Sequence, residues 1–246
     1  MSEKTSVLEY PSQGAHGQHH EPPTFFESLG HPLAHHFEDM GQQKEAATLG
    51  MWLFLATEVL LFGGMFAGYF AYRYNYPRAW EIGSHQLIWW LGSLNTAVLL
   101  ASSFCVAMAI HEAQANRSKG IVVYLLLTIA FGAMFLVVKG VEYYIDYEEK
   151  LIPWMSDFAV PHMEHADAAL VPQVRMFMLF YFIMTMIHAS HMIAGISVMG
   201  VLAWMAHKGK FTDRWYTPVE MAGLYWHFVD IVWVFLLPAL YFVRTQ

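Results

Sequence analysis

Five apolar runs dominate this chain, at approximately residues 49–72, 87–110, 121–144, 176–206 and 221–243. Each is long enough to cross a bilayer, whose hydrocarbon core of about 30 Å needs about 20 residues at a helical rise of about 1.5 Å. Lipid offers no hydrogen bonds, so separate runs of this kind must satisfy their own backbone, and the helix does that within one segment. The spacing therefore predicts an all-α fold, an integral membrane bundle of five transmembrane helices. The fourth run is longer than a perpendicular crossing requires, which predicts a tilted or projecting helix. Pro238 predicts a kink near the end of the fifth.

Composition agrees with this reading. The 246 residues are 57% hydrophobic and 13% charged, against roughly 25% charged in soluble domains, and the mean hydropathy is +0.35. The net charge of -7 comes mostly from acids outside the runs and argues against a nucleic-acid partner. Cys105 is the single cysteine, which excludes an intramolecular disulfide and a thiolate metal cluster built by this chain alone. It reads as a small core hydrophobe. Residues 1–46 form a polar tail rich in Pro, His and Glu, without the apolar stretch of a cleavable signal peptide. Residues 47–246 form the transmembrane domain. His16, His19, His20, His31, His35 and His36 are irregularly spaced on the tail, so a solvated segment is preferred to a metal site.

With five crossings, the tail and the connections at 111–120 and 207–218 share one side. That side holds Lys4, Lys44, Arg117, Lys119, Lys208, Lys210 and Arg214; the other holds Arg73, Arg78, Lys150, Arg175 and Arg244. The excess predicts a cytoplasmic N-terminus and an outside C-terminus. The acidic connection at 145–175, with Pro153, Pro161 and Pro172, is the best candidate for a surface that meets another protein.

Ionisable residues inside the runs are the strongest pointers to function, because at that depth they face protein or water rather than lipid. The fifth run contains Tyr225-Trp226-His227-Phe228-Val229-Asp230-Ile231-Val232-Trp233. His227 and Asp230 share a helix face at i,i+3 spacing, which predicts one polar stripe shown to a partner helix. Glu58 lies ten residues into the first run, and Asp230 lies at the corresponding depth of the fifth. The two could share a proton or a histidine across an interface. At Glu58 a proton-responsive carboxyl and a purely structural interhelical hydrogen bond both remain open.

His188 and His191 stand i,i+3 on the fourth run, and Lys139 and Glu142 have the same spacing near the outer end of the third. Lys139 is expected to snorkel to the interface while pairing with Glu142. A self-contained metalloenzyme using His188, His191, His227 and Asp230 is the rival from another class. It is disfavoured because the Glu-x-x-His and His-Glu-x-x-His metal motifs are absent. A transporter is disfavoured because no internal repeat or pair of broken helices is visible. Gly63, Gly64 and Gly68 predict a close-packing face on the first helix. Trp52, Tyr69, Tyr72, Trp80, Trp89 and Tyr241 read as interfacial belts.

Together these residues define a resemblance. Thr57-Glu58-Val59-Leu60-Leu61-Phe62, Glu142-Tyr143-Tyr144, His188-x-x-His191 with Gly195, and the Tyr225 to Trp233 stretch occur in the order found in subunit III of the haem–copper oxidases, the cytochrome c oxidase family. Residues from about 47 to 246 resemble that subunit. The resemblance implies a non-redox accessory subunit of a bacterial respiratory terminal oxidase using cytochrome c, with a quinol oxidase or nitric-oxide reductase accessory protein as the alternative. It implies a multi-pass protein of the bacterial plasma membrane. No catalytic residue and no metal is expected on this chain, and haem and copper would reside in partner subunits.

The implied partners are the catalytic subunit I, other oxidase subunits, membrane lipids with phospholipid in a cleft, and a larger respiratory assembly. By position Glu58 would be the family's buried carboxyl, related to proton uptake. Glu142, His188, His191, Trp226, His227 and Asp230 would be its helix-packing or lipid-related polar residues. The long family form has seven helices, and the five runs here match its last five. A lipid cleft in this chain would then be closed by another subunit.

Overall fold

The computed structural model describes residues 40–161, 165–211 and 215–243. Among these, the α-helices are α1 (Met40–Asn75), α2 (Pro77–Gln86), α3 (Trp89–Gln114), α4 (Ser118–Glu148), α5 (Val171–His207) and α6 (Thr217–Tyr241), with a 3-10 segment at His165–Leu170 ahead of α5. All but the short α2 are long and apolar enough to cross a membrane, and the described residues contain no β-strand. The five-helix all-α membrane bundle read from the sequence is the observed architecture. The tail histidines at 16, 19, 20, 31, 35 and 36 lie outside the described residues.

Element ends follow local chemistry. Proline occupies the first turn of α2, α5 and α6, where its missing N–H leaves no bond unmade. Helices α3, α4 and α5 stop at residues in the left-handed region, Asn116 at φ 56°, Lys150 at φ 58° and Gly209 at φ 68°. In each case that residue and the next bond back to helix carbonyls: Asn116 to Ala113 and Arg117 to Glu112, Lys150 to Tyr147 and Leu151 to Asp146, Gly209 to Ala206 and Lys210 to Met205. Carbonyls that would otherwise be orphaned are thereby satisfied.

Helices α3, α4, α5 and α6 pack as a ring, α3 beside α4 and α6, and α5 beside α4 and α6. Helix α1 lies outside it against α6 and α5, and α2 lies mainly against α5. The ring closes on Trp226, which is fully buried. A Cβ added at Gly132 of α4 would stand 2.9 Å from the Trp226 ring, and one added at Gly195 of α5 would also stand 2.9 Å from it. The indole N–H donates to Ser102 Oγ of α3 at 3.0 Å. One α6 side chain therefore fills a slot bounded by every other helix of the ring. About two turns further along α6, the Trp233 N–H donates to Thr96 Oγ1 of α3 at 3.0 Å, and its ring meets Phe135 of α4 edge-on at 4.8 Å.

Several local expectations change. Residues 40–46, read as tail, form the opening turns of α1; they are mostly good helix formers, and Lys44 is held by Glu220 at 3.1 Å. The connection read as 145–175 is shortened at both ends, because α4 runs to Glu148 and α5 starts at Val171. Gly63 and Gly64 have nothing within 4 Å of an added Cβ, and Gly68 meets only the Phe180 ring at 3.5 Å. The glycines packed closely against other helices are instead Gly83, Gly92, Gly132, Gly195 and Gly223. Of the aromatic belt, Trp52, Tyr72 and Trp89 are exposed, but Tyr69, Trp80 and Tyr241 are buried. Tyr69 donates to the Ala239 carbonyl near the end of α6, and Ser84 donates to the Val243 carbonyl at 3.1 Å. Helices α1 and α2 thus serve the C-terminal end of α6. Pro238 lies inside α6, which continues to Tyr241.

Gly195→Ala forces a methyl group into the Trp226 ring and is expected to lower stability by about 1–3 kcal/mol, the usual cost of overpacking. Gly200→Ala, at a site with nothing within 4 Å, is expected to be neutral or slightly stabilising. Denaturant unfolding of the two variants in detergent measures the difference.

Candidate functional site

The intramembrane polar residues fall into separate networks, each joining helices. In the first, Glu58 of α1 reaches His191 of α5, with Oε2 and Nε2 2.9 Å apart. The other imidazole nitrogen, Nδ1, lies 2.8 Å from the Ile187 carbonyl. A carbonyl only accepts, so Nδ1 carries a hydrogen. The contact between Nε2 and Oε2 then holds one proton, on the imidazole as an ion pair or on the carboxyl as a neutral donor. The Phe62 ring lies 5.4 Å from the imidazole, and the Tyr225 hydroxyl donates to the His191 carbonyl at 3.0 Å. The two paired side chains are 15% and 16% exposed, so the shared proton sits at an edge of the protein interior.

In the second network the polar stripe of α6 meets hydroxyls of α3. Ser103 Oγ lies 2.6 Å from His227 Nδ1, beside the Trp226–Ser102 bond. Asp230 is 3% exposed, and no protein hydrogen bond of normal geometry reaches either of its carboxyl oxygens. Glu58 and Asp230, at matching depths in the sequence, have different partners, and the histidine taken by Glu58 is on α5.

His188 is also fully buried with both ring nitrogens unpartnered. Its ring sits 5.4 Å from Phe135 and 5.2 Å from Trp233. His188 and His191 share a face by spacing, yet one enters the aromatic core of the ring and the other turns to α1. Among the described residues no three His, Cys, Asp or Glu side chains form a group that could hold a metal ion. The four donors of the metalloenzyme reading do not converge, since His191 pairs with Glu58, His227 with Ser103, and His188 with aromatic rings.

The third network overturns the snorkelling expectation. Lys139 is 2% exposed and points into the bundle. Its ammonium donates to Glu142 Oε2 at 2.9 Å, to the Tyr181 hydroxyl of α5 at 3.0 Å and to the Tyr241 hydroxyl of α6 at 2.7 Å. Tyr241 donates onward to Glu142 Oε1 at 2.6 Å, and Tyr181 to Asp146 Oδ2 at 3.2 Å. Tyr143 adds a contact of 2.7 Å to Thr185. The inward direction is set by partners on α5 and α6 that satisfy every donor, a better solution than a long reach to the interface. Asp146, Tyr181, Ser102, Ser103 and Thr96 are not singled out by the sequence, and Tyr241, expected at the interface, belongs to this network. The available signal was hydroxyls interrupting apolar runs, which does not reveal a partner across helices.

Lys139→Met leaves Glu142 a buried anion without its counter-ion and is expected to cost about 3–5 kcal/mol of stability. Lys139→Met combined with Glu142→Gln is expected to cost less than Lys139→Met alone. A double-mutant cycle by denaturant unfolding measures the coupling.

Comparison with known proteins agrees with the arrangement of helices and motifs. The family model "Cytochrome c oxidase subunit III" matches residues 35–147 and 156–245. The chain is 30% identical over 199 residues to cytochrome c oxidase subunit 3 of Corynebacterium diphtheriae, covering 80% of this chain and 88% of that one. It is 29% identical over 194 residues to quinol oxidase subunit 3 of Bacillus subtilis, covering 78% and 85%. Against cytochrome c oxidase subunit 3 of Loxodonta africana the identity is 28% over 210 residues, covering 80% and 70%. The match spans both flanks of the acidic connection and includes every transmembrane helix. The chain belongs to the cytochrome c oxidase subunit III family.

Proposed function

We propose that this chain, as an accessory subunit of a haem–copper oxidase, stabilises the catalytic subunit and supports its proton uptake, with the Glu58–His191 pair as the responsive element. The observation that carries this reading is the 2.9 Å contact between Glu58 Oε2 and His191 Nε2, at a site that is partly open rather than sealed. Helix α1, which supplies Glu58, exposes large apolar side chains such as Leu53 at 62% and Leu60 at 75%. That face suits phospholipid or the catalytic subunit. A displaced α1 would therefore be felt by whatever covers it.

The remaining assignments rest on the family and on the charge distribution. Haem and copper belong to the partner subunits, which carry out oxygen chemistry, while this chain's residues pack, orient and hold protons. His188, Trp226, His227 and Asp230 set the ring that α1 leans on, and Glu142 anchors the opposite end. The N-terminus faces the cytoplasm of a bacterium and the C-terminus faces outside, since Lys44, Arg117, Lys119, Lys208 and Lys210 collect at one end.

Cytochrome c is the electron donor favoured by this reading. The quinol oxidase subunit of Bacillus subtilis, nearly as similar, makes a quinol-oxidising complex the second reading. Oxygen uptake by the purified complex with reduced cytochrome c, against uptake with quinol, separates the two.

Glu58→Gln keeps the shape of the side chain and removes its ability to exchange the shared proton. The assembled variant oxidase is expected to start at the wild-type rate and then lose activity several-fold faster during sustained turnover, with fewer protons translocated per electron. Unchanged activity and pumping throughout prolonged turnover would reduce the role of Glu58 to assembly.

A further inference from the structure

The Lys139 network holds more charge than a simple ion pair, and its hydrogen bonds locate the surplus. Glu142 is 0% exposed, and Lys139 and Asp146 are each 2% exposed. The groups facing one another are Lys139, Glu142, Tyr143 and Asp146 from α4, Tyr181, Thr185 and His188 from α5, and Tyr241 from α6, with the Glu149 carboxylate just beyond the end of α4. Lys139 directs its three N–H bonds to three oxygens, the full complement of an ammonium group. Glu142 accepts one bond on each oxygen, from Lys139 and from Tyr241, and balances the ammonium. Asp146 has the Tyr181 hydroxyl, at 3.2 Å.

One ammonium and one carboxylate cancel. A second carboxylate would leave this enclosed cluster with a net negative charge and one long hydrogen bond to hold it. Buried charges that lack a partner normally neutralise instead. We propose that Asp146 is a proton-binding site, holding one exchangeable proton as a neutral carboxyl while Lys139 and Glu142 remain an ion pair. The site lies two residues from the end of α4, where Tyr147, Glu148 and Glu149 are exposed. Its proton therefore exchanges with water at the connection between α4 and α5, leaving an aspartate anion behind. On release, the new anion draws on Tyr181 and competes through it for Lys139, so proton occupancy bears on how α4 holds α5. The site is separate from the Glu58–His191 pair and does not depend on the reading given to that pair.

Infrared difference spectroscopy of the intact oxidase complex, between neutral and alkaline pH, tests this. The wild type is expected to show the C=O stretch of a protonated carboxyl that vanishes in Asp146→Asn and persists in Asp157→Asn, whose carboxylate pairs with Lys150 at the surface. A spectrum unaffected by Asp146→Asn overturns the proposal, as does a band that vanishes in Glu142→Gln while surviving Asp146→Asn. If Asp146→Asn does not assemble, Tyr181→Phe supplies the test. Loss of its hydroxyl is expected to shift the band to higher frequency, and an unshifted band overturns the assignment. The amide of Asn mimics a neutral acid, so Asp146→Asn is expected to assemble like the wild type and Glu142→Gln to assemble poorly; the reverse order also overturns it.

Discussion

The ring of α3 to α6 depends on the fit of one indole into one slot. Trp226 passes between Gly132 and Gly195, where an added Cβ would come within 2.9 Å of its ring on either side, and its N–H ends on Ser102. In lipid the hydrophobic effect gives little reason for one apolar helix to prefer another, so contact area and polar bonds must supply it. Trp226 supplies both. It is the largest side chain available, it touches three helices at once, and its polar atom fixes the rotation of α6 about its axis. With that rotation set, Trp233 falls between Phe135 and His188 and donates to Thr96. His227 falls against Ser103 in the same way.

The ionisable groups obey the same constraint. Most of those buried in the bilayer zone find a partner inside the protein, and the resulting networks join helices. Glu58 ties α1 to α5 through His191, His227 ties α6 to α3, and Lys139 ties α4 to both α5 and α6. Burial alone does not set how completely they are bonded. Lys139 and Glu142 have every donor and charge answered, whereas the partly exposed Glu58–His191 pair has one contact that can change hands. What separates structural anchoring from proton exchange is whether charges and donors balance at the site. Asp230 and His188 stand apart, buried without a hydrogen bond of normal geometry, with Ser103 beside Asp230. Groups of this kind are ordinarily completed by internal water.

The spans, their number and the polar stripe of α6 were legible in the sequence because length and hydropathy alone decide them. What lay beyond was identity of partners. Spacing placed His188 and His191 on one face, but a face covers a wide arc, and three residues of helix are enough to send one side chain into the ring and the other toward α1. Gly63 and Gly64 looked like a packing motif, yet they face away, because a small residue permits close approach without supplying the large one that occupies it. Gly195 could be recognised only together with Trp226 on another helix. Lys139 misled for the same reason. Near a span end a lysine has two ways to be satisfied, and the choice was made by Tyr181 and Tyr241, which are 42 and 102 positions away in the chain. The buried α2 was missed because its apolar content is too short to register against five long runs.

Helix α1 shows what this division of labour means for function. It is the transmembrane helix least buried by the rest of the chain, and polar contacts at three depths hold it. Lys44 meets Glu220 at one end, Glu58 meets His191 near the middle, and Tyr69 reaches the Ala239 carbonyl toward the other end. The end contacts are an exposed ion pair, worth little in water, and a single neutral hydrogen bond reinforced by the aromatic cluster of Trp80, Phe177 and Phe180. Between them, the strength of the middle contact depends on where its one proton resides. An ion pair and a neutral hydrogen bond differ in attraction and in the charge shown to the bilayer. A helix held chiefly by packing would be indifferent to that change. Helix α1 combines packing by Phe62 and Tyr69 with this contact, so the proposed function couples the protonation of Glu58 and His191 to the position of the face it offers to its neighbours. In the proposed function, that coupling is the route by which this chain influences the catalytic subunit.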